Sequence, residues 1–150
     1  MPIKRIDHIA IVVEKLETAL AVYRDALGLP LVHVEDLPEE SVKIGFLPTG
    51  DSQAGKDTVY IELLEPTSPD SGVARYLAKH GEGLHHICLE VDDLEATLAE
   101  LKAGGIRLLD ESPRPGAHGR IAFIHPKGAH GVLIELVENP ASGPAAPNTQ

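Results

Sequence analysis

The chain has 150 residues and a mass of 16.0 kDa, room for one domain with a real core and too little for two ordinary ones. Its 23 acidic side chains against 13 basic ones give a formal charge of −10, which excludes a general grip on nucleic acid or an anionic membrane, since both need a basic face. At 43% hydrophobic, 24% charged and only 3% aromatic residues, the composition is that of a soluble folded protein without platforms for base stacking. In chain order, Ile6 to Val13 is a short β-branched run and reads as a strand. Leu16, Ala19, Leu20, Tyr23 and Leu27 then recur at helical spacing, and Gly28 stops the helix. Strand-like pieces follow at Pro30 to Val34, Val42 to Leu47 and Thr58 to Leu64, with a polar hairpin tip over Gly50 to Asp57. Ser68-Pro69-Asp70 opens a helix that runs to about His80 and ends at Gly81.

The second half repeats the first. Asp7-His8-Ile9-Ala10-Ile11-Val12-Val13 is matched by His85-His86-Ile87-Cys88-Leu89-Glu90-Val91, at an offset of 78 residues (8 to 86, 16 to 94). Leu94, Leu98 and Leu101 then supply a helix that Gly104-Gly105 terminates. Strands are expected at Arg107 to Asp110, Arg120 to Ile124 and Gly131 to Val137. Ile44-Gly45-Phe46-Leu47 matches Ile121-Ala122-Phe123-Ile124, and Ile61-Glu62-Leu63-Leu64-Glu65 matches Ile134-Glu135-Leu136-Val137-Glu138. The pattern is an α+β fold of two tandem βαβββ modules, about residues 3–66 and 83–138, joined by a helix over about 69–80. We read 1–138 as one domain and 139–150 as a disordered tail of Pro, Ala, Gly and Ser.

No apolar run approaches a membrane span, the N-terminus carries no signal-peptide core, and the lone Cys88 cannot staple the fold, so a reducing cytoplasm is expected. Chemistry enters through the repeat. His8 and His86 occupy one place in the first strand of each copy, and Glu62 and Glu135 one place in the last. With Ile61, Leu63, Ile134 and Leu136 turned into a core, each Glu points to the other face of its strand. A buried carboxylate there needs compensation, and a divalent cation provides it for two imidazoles and two carboxylates. The mixed N/O set suits an octahedral first-row ion better than a closed structural zinc site. His33, His80 and His130 read as exposed, and His85 as lying on the other strand face from His86. Cys88 reads as a small buried residue, and Glu90, Asp92, Asp93 and Glu95 as solvated or helix-capping.

The paired modules and the His/Glu/His/Glu set resemble the vicinal oxygen chelate superfamily, across nearly everything before Asn139. Within it, Ile61-Glu62-Leu63-Leu64-Glu65-Pro66, Leu84 to Asp92, Gly116-Ala117-His118-Gly119, Ile124-His125-Pro126-Lys127 and Gly131 to Leu136 resemble the methylmalonyl-CoA epimerase family. The resemblance implies a cupped, partly closed mixed sheet around a metal held by His8, Glu62, His86 and Glu135. It implies cobalt first among possible ions, with nickel, manganese, zinc or magnesium as alternatives, an acyl-CoA substrate and a homodimer. The reaction it implies interconverts the (R) and (S) forms of methylmalonyl-CoA through α-proton abstraction and a metal-stabilised enolate. Glu135 then serves as the base on one face, and alignment of the second strand offers Lys43 for the other. His118, Arg120 and Lys127 are the candidate substrate contacts, with Arg114 behind them. Two further readings stand beside this one, a glyoxalase-I-type lactoylglutathione lyase and a non-catalytic small-molecule-binding member of the fold.

Overall fold

The structure is a computed structural model that describes residues 3–50 and 57–140. Most of the expected hairpin tip, Gly50 to Asp57, and of the tail from Asn139 onward lies outside the described residues. In β1 (Ile3–Val12) His8, Ala10 and Val12 are buried while their neighbours are partly exposed, the alternation of a strand with one covered face. A single turn of α-helix, α1 (Leu16–Leu20), widens into π-helical backbone over Ala21–Ala26. Gly28 ends it at φ 83°, a left-handed conformation that favours glycine. The remaining elements are β2 (His33–Leu37), β3 (Val42–Pro48), β4 (Tyr60–Pro66), α2 (Gly72–His80), β5 (Gly83–Val91), α3 (Leu94–Ala103), β6 (Arg114–Pro115), β7 (Arg120–Ile124) and β8 (Ile134–Glu138). None of the described helices is long and apolar enough to cross a membrane.

The chain divides into two compact units, His8–His85 and the rest of the described chain, residues 3–7 with 86–140. Strands run β2-β3-β4-β1 in the first unit and β5-β8-β7-β6 in the second. β1 pairs β4 in parallel, β5 pairs β8 in parallel, and the other pairs within each unit are antiparallel. The expected α+β fold with two βαβββ modules is therefore present. The repeat extends to register. Glu62 lies opposite Ala10 on one side and Phe46 on the other, and Glu135 lies opposite Cys88 and Phe123 in the same way.

Each module buries one sheet face under its own helix. In the first, Leu16 and Leu20 of α1 pack on Val13, Leu47 and Leu63. A Cβ on Gly45 would stand 2.8 Å from Leu16 Cδ1, so the glycine lets α1 lie close on β3. In the second, Leu94 and Leu98 of α3 pack on Val91, Ala122, Ile124 and Leu136. The last glutamate of each repeat also serves its helix. Glu65 Oε1 accepts the Leu16 N–H at 2.8 Å, and Glu138 Oε2 accepts the Leu94 N–H at 3.4 Å. Each carboxylate satisfies an orphan donor at a helix N-terminus and favours its positive end. Asp93 adds a side-chain cap to α3, accepting the Ala96 N–H at 3.0 Å.

Five expectations need correction. The linking helix starts after Ser71, whose Oγ accepts the Ala74 N–H at 3.0 Å, because Ser68 to Asp70 forms a turn of its own. The second strand of the first module begins at His33 rather than Pro30, and the last strand of the second at Ile134, after a turn through His130 and Gly131. The strand expected over Arg107 to Asp110 is reduced to one bridge, Leu108 to Ile124. There the N–H groups of Leu109 and Asp110 both donate to the Phe123 carbonyl, and Asp110 Oδ2 accepts the Phe123 N–H at 2.9 Å in place of a ladder bond. Finally, Glu90 is not solvated: it is 6% exposed and accepts from Arg5 Nη1 at 2.9 Å.

Candidate functional site

Each unit carries half of the expected ligand set. In the first, β1 presents His8 and β4 presents Glu62, with His8 Nδ1 3.1 Å from Glu62 Oε2. In the second, β5 presents His86 and β8 presents Glu135, with His86 Nε2 2.9 Å from Glu135 Oε1. All four residues are 7–8% exposed. Leu63 and Leu136, next along the strands, point into the helix-covered cores, so each glutamate faces away from its core. That face is apolar around the pair, with Ala10, Ile44, Phe46 and Leu64 in one unit and Cys88, Ile121, Phe123 and Val137 in the other. A carboxylate at such a place is costly unless paired, and an imidazole–carboxylate pair of this kind offers nitrogen and oxygen donors to a cation.

The aromatic residues of the repeat complete each half. Phe123 meets His86 edge to face at 5.6 Å between ring centroids, and Phe46 meets Tyr60 in the same manner at 6.4 Å. The sequence comparison marks Phe46 and Phe123 as equivalent, and their register opposite the glutamates gives them a place in the site.

Lys43 does not join its half. On β3 it lies opposite Glu65, while Phe46 lies opposite Glu62, so Lys43 is on the α1 side of the sheet. Ile44, one residue on, takes the Glu62 side and is buried there. By this alternation of strand faces the structure does not bring Lys43, the expected second catalytic residue, to the His8–Glu62 pair.

The candidate substrate contacts fall on the β6–β7 side of the second unit. Arg120 binds Glu138 Oε1 through Nε at 2.8 Å and through Nη2 at 2.6 Å, with Glu95 3.6 Å away. These carboxylates, Glu138 first, raise the pKa of the guanidinium further. Lys127 is exposed on the turn Pro126–Gly128, and its backbone N–H donates to His125 Nδ1 at 2.9 Å. His118 is exposed on the loop between β6 and β7.

His125 accepts that bond only as a neutral imidazole, and burial first, then Arg107 and Lys127, hold its pKa below the ordinary 6.5. The stabilisation from this turn is thus present above the unfolded value and lost as pH falls through the folded one. NMR titration is expected to give His125 a midpoint below 6.5. A midpoint above that value would contradict the neutral cap.

Comparison with known proteins identifies the family. The family model of the Glyoxalase/Bleomycin resistance protein/Dioxygenase superfamily matches residues 7–123. The mitochondrial methylmalonyl-CoA epimerase of Homo sapiens is 41% identical over 134 residues, 88% of this chain and 72% of that protein. A solved structure of a Streptomyces coelicolor methylmalonyl-CoA epimerase variant in complex with 2-nitronate-propionyl-CoA superimposes with a TM-score of 0.84 at 42% identity, covering 93% of this chain and 97% of that one. Similarity to a probable lactoylglutathione lyase of Vibrio cholerae is weaker, 33% identity over 90% of this chain and 91% of that one. The chain belongs to the glyoxalase/bleomycin resistance/dioxygenase superfamily and, within it, to the methylmalonyl-CoA epimerase family.

Proposed function

We propose that this chain epimerises methylmalonyl-CoA, with residues 1–138 acting as one functional domain that holds a single divalent cation through His8, Glu62, His86 and Glu135. The observation that carries the reading is the duplicated buried His–Glu pair, turned away from the helix-covered core in both modules. Two neutral imidazoles and two carboxylates balance a dication and supply a mixed N/O set. When bound, the ion supplies electrophilic stabilisation of the negative charge that develops when the α-proton leaves. Glu135 is the base we assign on one face: its carboxylate takes the α-proton, the α-carbon takes a proton from solvent on the opposite face, and the carboxylate is restored when its own proton leaves to solvent. His86, 2.9 Å from that carboxylate, orients it, and Phe123 packs on His86 to fix the imidazole plane.

Lys127, exposed and without an ion pair among the described residues, is the phosphate contact we favour, with His118 on the loop beside the substrate. Arg120 spends its charge on Glu138 and Glu95, so we assign it to a wall of the substrate groove rather than to a phosphate. Cobalt is our first choice of ion, on the resemblance to the epimerase family, and the mixed N/O donor set accepts it. A homodimer is supported by β2, an edge strand of its unit beside the exposed Val32 and Val34. The buried Cys88, a thiol rather than half of a disulfide, fits a cytoplasmic protein.

The test uses protein stripped of metal and reloaded with cobalt, then mixed with (R)-methylmalonyl-CoA. Conversion to the (S) epimer is expected to vanish on stripping and to return on reloading. Turnover of a glutathione hemithioacetal, with methylmalonyl-CoA unchanged, would overturn the reading in favour of the lyase.

A further inference from the structure

A groove of about 840 Å³ runs along the second unit, with Arg114, Pro115, Gly116, Gly119 and Arg120 among its walls. Its two arginines differ in what they have left to offer. Glu138 takes both Nε and one terminal amino group of Arg120, and Glu95 faces the other. Arg114 gives only its Nε, to Asp110 Oδ1 at 3.1 Å, and among the described residues its two terminal amino groups have no protein acceptor. Asp110 is itself fixed, because its other oxygen accepts the Phe123 N–H. The guanidinium carbon lies 5.5 Å from the Phe123 ring centroid, and that ring stands edge-on to His86 at 5.6 Å. Arg114 is thus held one aromatic ring away from the His86–Glu135 pair.

From this arrangement we infer that Arg114 binds the free carboxylate of a malonyl-type thioester and selects such acyl groups over those that lack it. The inference rests on the epimerase reading and adds the residue that recognises the acyl group. A planar guanidinium with two free donors matches a carboxylate fork to fork. The phosphates of coenzyme A are a poorer match, since the pantetheine arm, comparable to about four residues of extended chain, carries them roughly 13 Å beyond the thioester. Asp110 acts as a positioning residue: it keeps the guanidinium over Phe123 and out of the many other rotamers a free arginine would sample.

The metal-loaded protein and its Arg114→Gln and Arg114→Lys variants are compared on methylmalonyl-CoA and on methylmalonyl-N-acetylcysteamine, which keeps the carboxylate and lacks the phosphates. Calorimetric affinities for methylmalonyl-CoA and propionyl-CoA are measured in parallel. Arg114→Gln is expected to raise KM by about 10- to 100-fold on both malonyl thioesters, the range for one charge-assisted bond. Its affinity for methylmalonyl-CoA falls by a similar factor, while that for propionyl-CoA stays within about twofold. Arg114→Lys, which keeps charge but not the fork, recovers part of the loss and reports on the site should the glutamine variant fold poorly. A loss confined to the coenzyme A thioester, an equal loss with propionyl-CoA, or no loss at all would overturn the assignment. If the unaltered protein turns over neither thioester, the epimerase reading fails, and the two calorimetric affinities still decide whether Arg114 selects a carboxylate.

Discussion

Glu135→Gln is expected to slow α-proton exchange of methylmalonyl-CoA about a thousandfold, within the usual range for loss of a general base. The substitution keeps the shape of a side chain that is 8% exposed and 2.9 Å from His86, so the fold has little reason to change. It removes the charge that makes the side chain a base and a good cation ligand. Deuterium entry at the α-carbon, followed at saturating metal, separates these roles, since weak metal binding is compensated by excess ion and loss of the base is not. Exchange within a few-fold of the unaltered protein would take the base assignment away from Glu135.

Leu136→Ala is expected to act in the opposite sense, on stability. Leu136 is 1% exposed and packs with Val91, Leu94, Leu98, Ala122 and Ile124. Truncating a buried leucine in such surroundings costs about 2–5 kcal/mol through lost transfer energy and the cavity left behind. For a chain of this size that lowers Tm by about 10 °C. Thermal unfolding followed by circular dichroism reads the shift directly. A change of less than about 2 °C would mean that the site collapses around the gap or that Leu136 is not in the core. Neighbours on one strand are therefore expected to fail differently, one in chemistry with the fold intact and the other in the fold itself.

The duplication made much of this legible in the sequence. Offsets between His8 and His86, and between Phe46 and Phe123, placed equivalent residues on equivalent strands, and the registers of Glu62 and Glu135 agree with that placement. What failed was local. Alignment of the second strand points to Lys43, whereas counting strand faces back from Phe46 gives Ile44 the Glu62 side. Glu90 follows His86 and Cys88 at intervals of two, a signal that it shares their face, but its acidic character suggested solvent. Its partner Arg5 lies far away in the chain, and no spacing rule reaches that contact. The strand expected at Arg107 to Asp110 is lost for another reason: the side chain of Asp110 replaces a ladder bond, and strand periodicity carries no trace of such a substitution. Phe123 and Arg114 likewise gained their roles only from the packing of one side chain on the next.

The proposed site requires the two His–Glu pairs to hold one ion together. Metal content after equilibrium dialysis against cobalt, measured for the unaltered chain and for His8→Ala and His86→Ala, tests that claim most directly. One ion per chain, with affinity lost on substitution of either histidine, is the predicted result. Two ions per chain, or full binding that survives loss of one histidine, would show that the modules bind separately or that the ligands lie elsewhere.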